Sequence, residues 1–170
     1  MLSCCIASEK KLDPFYLGAV TIEINYAILK MIKQGCIHFY FTLSSKAELL
    51  FARLVAIHRQ TYPYIKLHAV FPYRKRYTKA LQSAQHAELL SICDEIHILS
   101  ENSYPGVFAA QQHFLTFNSE TVIAVYSDNA LDEKQHFLAL ARSYQRKVHI
   151  CAPLVPPGWL NRPTSKYGMR

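Results

Sequence analysis

The run Ile65-Lys66-Leu67-His68-Ala69-Val70-Phe71 is followed by Pro72-Tyr73-Arg74-Lys75-Arg76-Tyr77, an amphipathic segment from Lys79 to Cys93, and a second short apolar run, Glu95-Ile96-His97-Ile98-Leu99. Two apolar runs of strand length separated by a helix-length amphipathic segment read as a strand, a crossover helix and a parallel strand. The stretch from Tyr64 to Leu99 is therefore a βαβ unit, with Arg74 to Lys79 as a basic loop after its first strand. Ligands of open sheets built from such units bind outside the carboxyl ends of the strands, which is where that loop lies.

The same alternation extends in both directions. Upstream, Leu2 to Ala7 reads as a strand, a helix runs to about Gln34, Ile37 to Thr42 is a second strand and Lys46 to Arg59 a second helix. Leu17, Val20, Ile24, Ala27, Ile28 and Met31 recur at the three- and four-residue spacing of a buried helix face. Gly35 follows where a left-handed C-cap is favoured. Downstream, Tyr104-Pro105-Gly106 is a turn, Val107 to Phe117 a helix, Thr121 to Tyr126 a strand, Leu131 to Tyr144 a helix and Lys147 to Cys151 a sixth strand. The alternation predicts a Rossmann-like α/β fold, a three-layer α/β/α sandwich around a mainly parallel six-stranded sheet with right-handed crossovers. Residues 1–151 form this domain. Residues 152–170, with Pro153, Pro156, Pro157 and Pro163, are expected to be an extended tail anchored by Trp159.

Composition narrows the function classes. A chain of 170 residues fits one domain and buries roughly 70% of the surface its unfolded form exposes, so it needs no staples. Its five cysteines, Cys4, Cys5, Cys36, Cys93 and Cys151, have no C-x-x-C spacing and are odd in number, which indicates core residues rather than a zinc knuckle or a disulfide framework. No leader pattern opens the chain and no apolar run is read as long enough for a span, so a cytoplasmic protein with no membrane partner is expected. The formal net charge of +7 concentrates in the Arg74 to Lys79 loop and in Arg162, Lys166 and Arg170 of the tail, a distribution that suits a polyanion.

The opening Cys4-Cys5-Ile6-Ala7-Ser8-Glu9-Lys10-Lys11-Leu12, the Ile65-Lys66-Leu67 strand leading to Pro72-Tyr73, the run Cys93-Asp94-Glu95-Ile96, Tyr104-Pro105-Gly106, and Asn118-Ser119-Glu120 before Ile123-Ala124-Val125 resemble the YpsA-like branch of the SLOG superfamily over residues 1 to about 150. That superfamily includes the Lonely-guy phosphoribohydrolases and the Smf/DprA DNA-processing proteins. The resemblance implies a nucleotide-derived ligand at the carboxyl ends of the first, second and third strands. Carried onto this chain, the pocket is lined by Ser8, Thr42, Ser44, Ser45, Glu48, Tyr73 and Gln111.

Three turns depart from the family's pattern. Where the first strand of the family ends in Thr-Gly-His-Arg, this chain has Ala7-Ser8-Glu9-Lys10. The Ser-Gly-Gly turn after the second strand is replaced by Thr42-Leu43-Ser44-Ser45-Lys46-Ala47-Glu48, which contains no glycine. Past the fifth strand, Asp128-Asn129-Ala130-Leu131-Asp132-Glu133 stands in for a Gly-Gly-Thr turn. Glycine lets backbone amides approach a phosphate closely, and carboxylates at a helix start repel one. The expectation is a non-catalytic sensor or interaction module whose binding is reduced or altered.

Individual residues carry two readings each. Glu48 aligns with the family's acidic residue, which would hold a ribose hydroxyl, and Ser45-Lys46-Ala47-Glu48 is also a capping box. Arg74, Lys75, Arg76 and Lys79, beside Tyr73 and Tyr77, suit either a solvated loop or a nucleic-acid contact with stacked bases, the latter being the alternative function. A third reading is residual phosphoribohydrolase chemistry with Glu48 as acid. No cofactor is indicated. The eight histidines show no H-E-x-x-H or other metal spacing; His38, His68, His97 and His149 lie in or beside strands and read as packed or edge residues. No G-x-S-x-G elbow is present. A homodimer through an edge strand or the tail is a further partner the sequence admits.

Overall fold

A computed structural model describes residues 2–153. Six strands, β1 (Leu2–Ser8), β2 (Cys36–Phe41), β3 (Lys66–Phe71), β4 (Glu95–Ile98), β5 (Thr121–Val125) and β6 (Lys147–Ile150), form one sheet in the order 4-3-2-1-5-6. Every neighbouring pair is parallel. Chain order reverses between β1 and β5, so the fold is doubly wound and its topological switch lies there.

Six helices cover the two faces: α1 (Pro14–Lys33), α2 (Lys46–Arg59), α3 (Arg74–Ala80), α4 (Ala84–Ser91), α5 (Val107–Phe117) and α6 (Leu131–Ser143). Val20, Ile24 and Ile28 of α1, Phe51 and Val55 of α2 and Leu89 and Leu90 of α4 pack with Phe39, Phe41, Leu67 and Ala69 into the larger core. On the other face Leu115 of α5 and Phe137 and Ala141 of α6 pack with Cys5, Val70, Val122 and Ala124. Cys4 and Cys5 thus fall on opposite faces, as strand alternation requires.

Local chemistry sets the ends of the helices. Asp13 caps α1 by accepting from the amides of Phe15 and Tyr16 at 2.8 and 3.2 Å, and Pro14 occupies the first helical position, where its missing N–H costs nothing. Gly35 ends α1 at φ +93° and Gly106 opens α5 at φ +87°, conformations that strain a residue bearing a Cβ. The twenty residues of α1 are by length and composition alone enough for a membrane span. That corrects the expectation that no segment reaches such a length. Its stripe of Val20, Ile24, Ala27, Ile28, Met31 and Ile32 is buried in the core.

Two expectations fail between β3 and β4. The basic stretch after β3 is helix α3 rather than a loop, and the single crossover helix from Lys79 to Cys93 is two helices broken at Leu81 to Ser83. Tyr77 packs on Phe71 with ring centroids 5.3 Å apart and fixes α3 to the core, while extended backbone at Ser83 starts α4 anew. The tail expected to hang from Trp159, with Arg162, Lys166 and Arg170, lies outside the described residues.

Candidate functional site

The carboxyl ends of β1, β2, β3 and β5 carry four turns, and two of them are closed by carboxylates of the chain itself. After β2, Glu48 in the first turn of α2 folds back so that its Oε2 accepts from the Ser44 amide at 2.9 Å, the Ser44 hydroxyl at 2.8 Å and the Thr42 hydroxyl. Ser45 caps the helix by accepting from the Glu48 amide at 3.2 Å. The returning arm of the capping box reaches the Ser44 amide and hydroxyl, and the Ser45 amide also acts on the Glu48 carboxylate. Burial raises the Glu48 carboxyl above its ordinary range, and the hydrogen bonds from Thr42 and Ser44 draw it part of the way back.

After β5, the buried Glu9 does the same work. Its Oε1 accepts from the Ser127 amide at 2.6 Å, and its own amide donates to the Val125 carbonyl at 3.2 Å. Tyr16 adds a bond from its hydroxyl to the Tyr126 carbonyl at 3.0 Å. The loops after β1 and β5 are laced together at the switch point. An amide that would receive a phosphate oxygen already holds a carboxylate oxygen, and like charge keeps a second anion away.

Beside these closed turns lie two adjoining cavities, of about 280 and 160 Å³, both bounded by Thr42, Ser44, Arg76, Phe108 and Gln111. The larger also touches Phe71, Lys79 and His86, and the smaller touches Ser8, Lys10, Glu48 and Tyr126. Phe108, 41% exposed at the start of α5, has two cations near its ring, the Arg76 guanidinium 5.3 Å and the Lys10 ammonium 5.5 Å from the centre. An aromatic face flanked by cations combines a stacking surface with charge for a phosphate.

The residues expected from the sequence divide accordingly. Thr42, Ser44 and Gln111 line both cavities, and Gln111 is held by donating to the Val70 carbonyl at 2.9 Å. Ser8 lines the smaller one and meets Ser45 at 2.6 Å between hydroxyls; Ser45 is otherwise spent as a cap and borders neither. Tyr73 stands behind, with its ring 6.3 Å edge-on from Phe108. Of the basic cluster, Arg76 and Lys79 reach the cavities. Arg74 is engaged by both oxygens of Glu101, at 2.7 and 2.8 Å, and exposed Lys75 borders neither cavity. Gln112, which with Gln111 stands where the family tends to have Arg and Asn, lines the smaller cavity, and the residues that were missed are Phe108, Lys10 and Glu9; only the turn Tyr104-Pro105-Gly106 just before Phe108 marked that helix start in the sequence.

Nucleophile chemistry has no support in the thiols, since burial pushes Cys5, Cys36, Cys93 and Cys151 up to about 12. At the amino half of the sheet the structure corrects the reading of scattered histidines. His38, His68 and His97, on β2, β3 and β4, stand in a row: His38 Nδ1 is 2.9 Å from His68 Nε2, and His68 Nδ1 is 3.3 Å from His97 Nε2. Burial pushes the His68 imidazole down to about 4.

A doubly wound parallel sheet with its cavities at the strand carboxyl ends defines a protein of the Rossmann-like α/β class. The pattern of the family described as YspA SLOG matches residues 17–156, and the chain belongs to that SLOG family. The match begins after β1, so the departures at Ser8 to Lys10 lie outside it. No curated protein matches the chain. Among solved structures, DNA processing protein A from Helicobacter pylori, described for its single-stranded DNA binding mode, superposes with a TM-score of 0.57 at 13% identity over 88% of this chain. The chain spans 64% of that protein's length. At that identity the likeness establishes the fold.

Proposed function

We propose that this chain is a non-catalytic binding module for a nucleotide-derived ligand, in which side-chain cations have replaced backbone amides as the phosphate contacts. One observation carries this reading. The turns after β2 and β5 are filled by Glu48 and Glu9, while the two adjoining cavities share Arg76 and the exposed ring of Phe108, with Lys79 on the larger and Lys10 on the smaller. The phosphate meets the cations at the rim, the base lies against Phe108, and Thr42, Ser44, Ser8 and Gln111 supply polar contacts beneath. Glu48 is tied to its own turn, whose three donors converge on Oε2.

The second reading is single-stranded nucleic acid on the same rim, for which the cation-flanked ring is the favourable observation. The single-stranded DNA binding of the Helicobacter pylori protein accords with it. Calorimetry with AMP, ADP-ribose and oligothymidylate at low salt separates the two. A mononucleotide that binds as tightly as the oligomer supports the small-ligand module. Binding of the oligomer alone, with a log–log salt slope of about −2 from three cations, supports the second reading. Failure of all three probes at millimolar concentration removes both.

A further inference from the structure

We propose that His68, Glu95 and His97 form a binding site for a divalent transition-metal ion of the zinc type, with one coordination position open to solvent. Glu95 and His97 alternate on β4 and so share a face, and the register sets Glu95 beside His68 of β3. Three atoms, His68 Nδ1, His97 Nε2 and Glu95 Oε2, form a closed triangle with edges of 3.3, 3.4 and 3.8 Å. Ligand atoms about 2.0–2.1 Å from a tetrahedral ion are separated by about 3.3 Å, so an ion seated above this triangle needs only small side-chain adjustments. Two imidazoles and one carboxylate suit zinc, cobalt, nickel or copper and not calcium or magnesium, which take oxygen shells.

The surroundings hold these rings in place. His38 Nδ1 lies 2.9 Å from His68 Nε2, so a metal on Nδ1 fixes the tautomer that donates from Nε2 to His38, the outer-shell bond that orients metal-ligating histidines. Tyr40 stacks on His68 at 4.5 Å between centroids, and Phe114 of α5 packs on His97 at 5.4 Å. Exposure rises from buried His68 through His97 to solvent-facing Glu95, which gives an ion a route in and leaves its fourth position toward water. The three residues line neither cavity, although His97 pairs in register with Val70, whose side of β3 borders the larger one.

The test uses the full chain without a polyhistidine tag, stripped of metal and titrated with zinc by calorimetry and with cobalt(II) by visible absorption. One equivalent per chain and the ligand-field bands of a tetrahedral cobalt site are expected. Glu95→Gln and His97→Gln, both at accessible positions, should each weaken binding tenfold or more, and their combination should abolish it. His38→Phe should cost about tenfold, whereas Cys93→Ser should change nothing. Circular dichroism establishes that each variant remains folded. No binding at micromolar zinc, or undiminished binding in the folded Glu95→Gln/His97→Gln variant, would overturn the proposal.

Discussion

The turns above the sheet and the rim beside them treat negative charge in opposite ways. In the turns after β2 and β5, Glu48 and Glu9 satisfy amides and hydroxyls from within, and the geometry is closed. At the rim, Lys10 and Arg76 both lie over the Phe108 ring, and neither forms an ion pair among the described residues. Arg74, two residues away, is already engaged by Glu101 and contributes nothing. On the proposed function an anion is received by side chains at the rim and not by main chain in the turns, so substitutions in the two regions should separate stability from binding.

The largest effect is expected at Glu48. Glu48→Ala leaves the Ser44 amide and the Thr42 and Ser44 hydroxyls without their acceptor in a buried turn, and should cost roughly 2–4 kcal/mol, read as a lower denaturation midpoint. A loss below about 0.5 kcal/mol would show that the turn does not depend on its carboxylate. Glu9→Ala removes one charged acceptor and should cost about 1.5–3 kcal/mol, with faster exchange of the Ser127 amide. At the rim the sign of the contrast reverses. Phe108→Ala should leave stability within about 1 kcal/mol of the parent yet weaken AMP or oligothymidylate about tenfold, the value of one stacked base. Lys79→Ala and Arg76→Ala should weaken binding several-fold at low salt and progressively less as salt rises.

The smallest and most specific effect concerns pH. Burial raises the folded-state pKa of Glu48 above its unfolded value, so its contribution favours the fold below the ordinary carboxylate range and is lost as pH rises through the raised value. Glu48→Gln has no such dependence. The stability difference, parent minus variant, should therefore fall over that interval in paired denaturation series, and a difference that instead rises would mean the turn's donors outweigh desolvation.

Alternation of apolar runs was enough to predict the strands and most helices, and α2 and α5 begin and end where their sequence patterns do. Helix α3 was illegible because Arg74-Lys75-Arg76 carries no apolar period; its anchor is one ring, Tyr77, on a residue of the preceding strand. Thr42 and Ser44 were found because they follow the carboxyl end of a parallel strand, and Gln111, in α5, because the family resemblance pointed to its position. Glu9 was not, since its partner Ser127 is 118 residues away and no local spacing records that bond. The histidine row was half visible: Glu95-x-His97 shows the period of a strand, but only the β3–β4 register adds His68.

The lacing of Glu9 to Ser127, joined by the Tyr16 hydroxyl on Tyr126, has a further consequence. In a doubly wound sheet the gap where the winding changes direction is the natural doorway, and here it is bolted from the inside. The cavities lie to the flank of that gap, where both share Phe108 and Gln111 of α5. On the proposed function, selectivity would depend on how that one helix start is set, and less on the loops at the switch point.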